Sequence, residues 1–237
     1  MTLQRPTIVL FDMDGTTVRH VNPVFLKILE RLDNILYFFS RLISRKKEIK
    51  DLSLDPVVPR GLLVHRILHK FRRKDVDQIV QPCPGIFLLL SLFRDNNIPL
   101  GIVSNSIGSG YGHEVLDTFK LSQFFPVQVF REDIIKSKPN PDPILRGLRA
   151  IKEEPSADDV VWYIGDRHTD MTAALAADKL LPCKILPFSY GLNAAMMLLR
   201  RKVPTENIIV SYPDFYQRIS ELFDGNDQNK TNLPDAA

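Results

Sequence analysis

Apolar positions follow two rhythms along the chain. Residues 7–12 (TIVLFD) form a continuous run rich in β-branched residues, which predicts a buried strand ending at Asp12. Residues 22–47 (NPVFLKILERLDNILYFFSRLISRKK) take a helical period, with Pro23 where a first turn tolerates it. Pro56, Pro59 and Gly61 break that period, residues 62–80 resume it, and residues 81–85 (QPCPG) break it again. Beyond Gly85, helical and extended stretches alternate. Strands are predicted at 98–106, 125–130, 159–166, 183–188 and 206–211. Helices are predicted at 86–97, 114–121, 142–153, 172–178, 194–202 and 213–223. Continuous apolar strands alternating with helices predict an α/β fold: a Rossmann-like parallel sheet covered by helices on both faces. Residues 18–81 lack that alternation and are expected to be a helical domain inserted after the first strand. The core is then 1–17 with 82–224, and the polar tail 225–237 is expected to be disordered.

Composition changes this picture little. A net charge of +3 does not argue for nucleic acid as a partner. Its distribution is uneven, because residues 18–80 hold 14 Lys and Arg against 7 Asp and Glu. A basic insertion beside an acidic core attracts an anionic ligand or presents a solvated helix face. Cys83 and Cys183 each lie next to a proline without CxxC spacing, which fits a reducing, cytoplasmic compartment. The first residues lack a secretory pattern, and no run reaches the roughly 20 apolar residues of a membrane span.

The candidate chemistry sits where strands end. The first predicted strand runs into Asp12 and Asp14, the second into Ser104 and Asn105, the fourth into Gly165 and Asp166, with Asp170 close behind. Ligands of open α/β sheets bind at the carboxyl ends of the strands, so these residues are expected to converge. Lys138 lies in KSKPNPDP, in the loop that opens a helix. Two aspartates one residue apart raise each other's affinity for protons. A divalent cation with a preference for oxygen ligands lets such a cluster stay ionised. Singly, these residues read as a turn, a helix cap or a surface lysine; their joint occurrence on strand ends carries the argument.

The ordered set DMDGT, SN, KP and GDRHTD resembles the haloacid dehalogenase superfamily of phosphohydrolases over residues 7 to about 222. The insertion resembles the helical, C1-type cap of its phosphoglycolate-phosphatase-like branch. The resemblance implies that Asp12 binds Mg²⁺ with one oxygen and attacks phosphorus with the other. It implies that Asp14 protonates the leaving oxygen, activates the hydrolytic water and binds the metal through its carbonyl. Gly15 permits the turn there and brings backbone amides near the phosphate. Ser104, the amides around Asn105, and Lys138 would then bind the phosphoryl group. Asp166 would complete the metal ligands, and Asp170 would act in the shell behind them.

The expected function is therefore an Mg²⁺-dependent phosphatase for a small phosphorylated metabolite, with phosphoglycolate as first candidate. A sugar phosphomutase of the same family also needs an acid at Asp14. A catalytically silent scaffold with a docking cap is the reading from another class. After DGT the branch usually has a leucine and then Asp-Ser, whereas this chain has Thr17, Val18, Arg19 and His20, which leaves the substrate open. In the cap, Ile35 to Ile43 are apolar around most of a helix, which reads as cap core, a homodimer contact or a membrane-surface helix. Arg60, in VPRG between cap helices, is a candidate substrate contact. Gly108, Gly110 and Gly112 lack dinucleotide-fingerprint spacing and predict a flexible loop beside the site. His65, His69, His113 and His168 form no convincing metal-binding pair.

Overall fold

The computed structural model describes residues 3–21 and 76–224. The chain divides into two compact units, Met1–Arg19 with Pro82–Ala237, and His20–Gln81. The predicted cap helices up to residue 75, Arg60 and the tail lie outside the described residues; the helical period expected to run to Val80 gives way to a short turn at Val76–Gln78 and to extended chain at Val80. Described residues of the second unit include a short helical turn, Val76–Gln78, and the Val21 amide donating to the Ile79 carbonyl at 2.9 Å.

The first unit is built on a six-stranded parallel sheet. Its strands are β1 (Ile8–Phe11), β4 (Leu100–Val103), β5 (Val127–Val129), β6 (Val160–Gly165), β7 (Lys184–Tyr190) and β8 (Ile208–Ile209). They lie in the order β5-β4-β1-β6-β7-β8. The chain builds outward from β1 to β5, then crosses back to place β6 against the other side of β1. This reversal beside β1 is the switch point at which such sheets open a crevice. Two further strands, β2 (Val18–His20) and β3 (Val80–Pro82), pair with each other. The sequence predicts no strand at either place: Val18–His20 falls at the start of the expected helical insertion, and Val80–Pro82 spans the end of its last helical stretch and the start of the break, where three-residue strands leave no periodic signal.

Alternation along the strands sorts two chemically distinct faces. Ile8 and Leu10 of β1, with Val161 and Tyr163 of β6, join an aliphatic cluster. It includes residues of α3 (Asp142–Ile151), α4 (His168–Ala177) and α5 (Leu192–Arg200). The other face is aromatic. Phe11 and Trp162 meet Phe93 of α1 (Ile86–Asp95), and Trp162 and Phe188 meet Phe215 of α6 (Tyr212–Asp224). Each large side chain removed from water in this way contributes about 1.5–3 kcal/mol. The remaining described helix, α2, spans His113–Thr118. The expectation of a parallel α/β sheet with helices on both faces holds. The helix predicted from residue 172 starts instead at His168, because the Asp170 carboxylate accepts the Arg167 amide at 3.0 Å and satisfies an otherwise orphaned donor. None of the described helices is long and apolar enough to cross a membrane.

Candidate active site

The carboxyl end of β1 forms the floor of the site. The Asp12 amide donates to the Ile164 carbonyl at 2.8 Å, extending the ladder between β1 and β6 past the end of β1. The chain then folds sharply back. The Thr17 and Val18 amides both donate to the Met13 carbonyl, at 2.9 and 3.0 Å, and the Thr17 hydroxyl donates to the Asp12 carbonyl at 2.8 Å. Gly15 has φ +89°, and a Cβ there would lie only 2.5 Å from the carboxyl carbon of Asp166. Both the left-handed backbone and the close approach call for glycine.

Lys138 is the buried centre. Its Nζ lies 2.5 Å from Asp12 Oδ1, 2.6 Å from Asp170 Oδ1, 2.9 Å from the Tyr163 hydroxyl and 3.0 Å from the Val103 carbonyl. Burial opposes charging of this amine, but Asp12, Tyr163 and Asp170 outweigh it and hold the ammonium well above the usual lysine range. Burial also pushes the Asp12 carboxyl up; Lys138 pulls it back and Asp170 adds to the upward push. Asn105 sets the lysine in place. Its amide nitrogen donates to the Lys138 carbonyl at 3.1 Å, and its Oδ1 accepts the Lys138 amide at 2.9 Å. The Asn105 side chain is thus occupied with Lys138. Ser104 is buried at the end of β4, with its amide on the Val129 carbonyl (2.8 Å) and its hydroxyl oxygen accepting the Ser106 amide (3.0 Å).

Asp12, Asp166 and Asp170 each present an oxygen within 4.8 Å of the others. Asp170 is committed on both oxygens, to Lys138 and the Tyr163 hydroxyl on one and to the Arg167 amide on the other. Asp166 Oδ1 is buried and has no hydrogen-bond partner among the described residues. Burial, and then Asp170, push its carboxyl up to about 6. A buried carboxylate oxygen that the described residues leave unpaired, beside a second carboxylate, suits a hard divalent cation, so the donor set fits Mg²⁺.

Asp14 stands on the turn, half-buried, with Oδ2 accepting the Ser106 hydroxyl at 2.5 Å and Oδ1 accepting the Tyr111 hydroxyl. Burial beside Asp14 pushes the Tyr111 phenol well above its usual range. The structure thus brings together every sequence-predicted site residue except Arg60, which lies outside the described residues. Three residues around the site were not anticipated: Ser106, Tyr111 and Tyr163. Strand parity could have found Tyr163, which lies two residues before Gly165 on the aliphatic face. Tyr111 carries a fainter signal, as a lone aromatic in a glycine-rich stretch.

The family model of the haloacid dehalogenase-like hydrolases matches residues 9–179. The chain belongs to this family. A phosphoglycolate phosphatase of Aquifex aeolicus is 25% identical over 192 residues, covering 72% of this chain and 80% of that one. That of Escherichia coli strain K12 is 27% identical over 186 residues, covering 76% of this chain and 66% of the relative. Among solved structures, a Thermotoga maritima protein provisionally described as a beta-phosphoglucomutase superposes with TM-score 0.62 at 18% identity. That match covers 91% of this chain and 99% of the other, and it speaks for the shared dehalogenase-like fold alone.

Proposed function

We propose that this hydrolase is an Mg²⁺-dependent phosphatase of a small phosphomonoester, working through an aspartyl-phosphate on Asp12. The observation that carries the reading is a buried ammonium, Lys138, held 2.5 Å from an Asp12 carboxylate oxygen at the carboxyl end of the central strand. A carboxylate so fixed is a preorganised nucleophile, and the ammonium beside it favours the charge that gathers during phosphoryl transfer.

In this reading, Asp12 attacks phosphorus as the bond to the leaving oxygen breaks. The Ser104 hydroxyl donates to a phosphoryl oxygen, and Lys138 balances negative charge on the transferring group. Asp14 gives its proton to the leaving oxygen, then takes one from the water that attacks phosphorus of the Asp12 acyl phosphate, breaking its bond to the Asp12 oxygen and releasing phosphate. The carboxylates of Asp12 and Asp166 and the Asp14 carbonyl would hold the cation. When bound, it supplies neutralisation of phosphoryl charge. Asp170 acts behind this layer by fixing Lys138. Phosphoglycolate is the first substrate to try, because the Aquifex and Escherichia relatives bear that activity in their names.

The test is phosphate release from a panel of phosphomonoesters, with Mg²⁺ and with EDTA, by wild type and Asp12→Asn. Release should require the metal and fall at least about a thousandfold in the variant. Mg²⁺ alone should also raise the melting temperature, by about 2.7 kcal/mol of stability at a hundredfold excess over Kd. Phosphate moving between positions of a sugar without release would point to a mutase instead.

A further inference from the structure

The segment Gly108–Gly112 follows β4, and none of its residues belongs to the four sequence motifs. It is anchored from two sides. The Glu132 carboxylate accepts the Gly108 amide at 2.9 and 3.1 Å and the Ser109 amide at 3.1 Å. Those amides hold the carboxyl below its usual range against the upward push of burial. Phe130 packs so closely beneath that a Cβ on Gly112 would overlap its ring, and the His113 ring meets the same phenyl group edge-on, with centroids 4.7 Å apart. Between these anchors Ser109 and Gly110 leave helical geometry, with ψ 121° at the first and φ 80° at the second. The Tyr111 hydroxyl reaches one oxygen of Asp14. The other oxygen accepts the Ser106 hydroxyl at 2.5 Å, and Ser106 is itself held by its amide on Ser104 and by its carbonyl, which accepts the Arg131 amide at 2.9 Å.

From this we infer that Tyr111 and Ser106 are positioning residues that hold the Asp14 carboxyl group where it can pass a proton to the leaving oxygen. The inference rests on the phosphatase reading above. Each Asp14 oxygen has its own hydroxyl partner, fixed from a different direction. A hydroxyl donates to a carboxylate and accepts from a protonated carboxyl, so the same two groups serve Asp14 before and after the proton moves. The step is balanced: the Asp12 oxygen–phosphorus bond forms, the bond to the leaving oxygen breaks, and the Asp14 proton ends on that oxygen. Displacement of such a group by about 1 Å costs on the order of a hundredfold in rate.

The dependence on leaving group separates positioning from general support. An alkoxide needs a proton to depart, whereas p-nitrophenolate leaves as a stable anion. We would measure kcat/KM for phosphoglycolate and for p-nitrophenyl phosphate in wild type, Tyr111→Phe and Ser106→Ala. The ratio of the two values should fall about tenfold or more in each variant, with the loss on the alkyl ester. Ser106→Thr, which keeps a hydroxyl, should restore the ratio to within about threefold of wild type. Equal losses on both esters, or an unchanged ratio, would overturn the positioning role while leaving the phosphatase reading intact. If Tyr111→Phe does not fold, the Ser106 pair decides alone. Wild-type turnover that survives Asp12→Asn would instead overturn the phosphatase reading, and this inference with it.

Discussion

Lys138 Nζ has four oxygen atoms around it and three protons to give them. The Tyr163 hydroxyl resolves the mismatch, because it can donate to Asp170 at 3.2 Å while receiving from the lysine. The arrangement couples two carboxylates through one cation, and removing the cation leaves both buried and facing each other. Lys138→Met should therefore destabilise the fold by about 3–5 kcal/mol, seen as a lower urea midpoint. A double variant, Lys138→Met with Asp170→Asn, should recover part of that loss without recovering turnover. The lysine itself was legible in the sequence, since KP follows DMDGT and SN in a recognisable order. Its hydrogen bonds to Asn105 and Tyr163 were not. Asn105 and Tyr163 act on Lys138 across 33 and 25 residues, and no local pattern encodes such a partnership. The same holds for Asp14, whose neighbours Ser106 and Tyr111 arrive from another strand end.

At the level of elements, the strands were legible because burial on both faces makes them continuously apolar. Their limits were set by single side chains that the apolar pattern does not report. Asp170 moves the start of α4, and Asp159 does similar duty where α3 gives way to β6. The Asp159 carboxylate accepts Lys152 Nζ at 2.7 and 2.9 Å, the Ser156 amide at 2.7 Å and the Thr7 hydroxyl at 3.2 Å. Burial pushes this carboxyl up, but Lys152 and Ser156 outweigh it and hold it down to about 2. A carboxyl whose folded value lies below its unfolded value of 3.8 stabilises the protein above that pH and loses the contribution as pH falls through about 2. Asp159→Asn should thus lower stability by about 1.5–3 kcal/mol at pH 7. In urea titrations the gap from wild type should begin to narrow near pH 4 and close near pH 2. A gap independent of pH would mean that the side chain acts through shape and not charge.

For the molecule as a whole, the first unit is made of two stretches of chain separated by residues 20–81. The two stretches meet directly where the Cys83 amide donates to the Thr17 carbonyl at 3.0 Å, and the Tyr212 hydroxyl donates to the Thr16 carbonyl at 2.9 Å. The sheet and its metal-fit carboxylates draw only on this unit. A chain in which residues 20–81 are replaced by a short glycine-serine turn should still unfold cooperatively in urea and still gain stability from Mg²⁺. Loss of a cooperative transition would show that the sheet needs the inserted residues. Another consequence follows from β1 lying between β4 and β6. About 150 residues separate Asp12 from Asp166, and at about 5–20 residues per second their synthesis takes on the order of 8–30 s. For that interval the nascent IVLF strand has at least one open, apolar edge, a template for wrong pairing. A ribosome that stalls before β6 therefore releases a chain that cannot assemble the site but can aggregate, so the pace of translation bears on the yield of this protein as directly as any side chain.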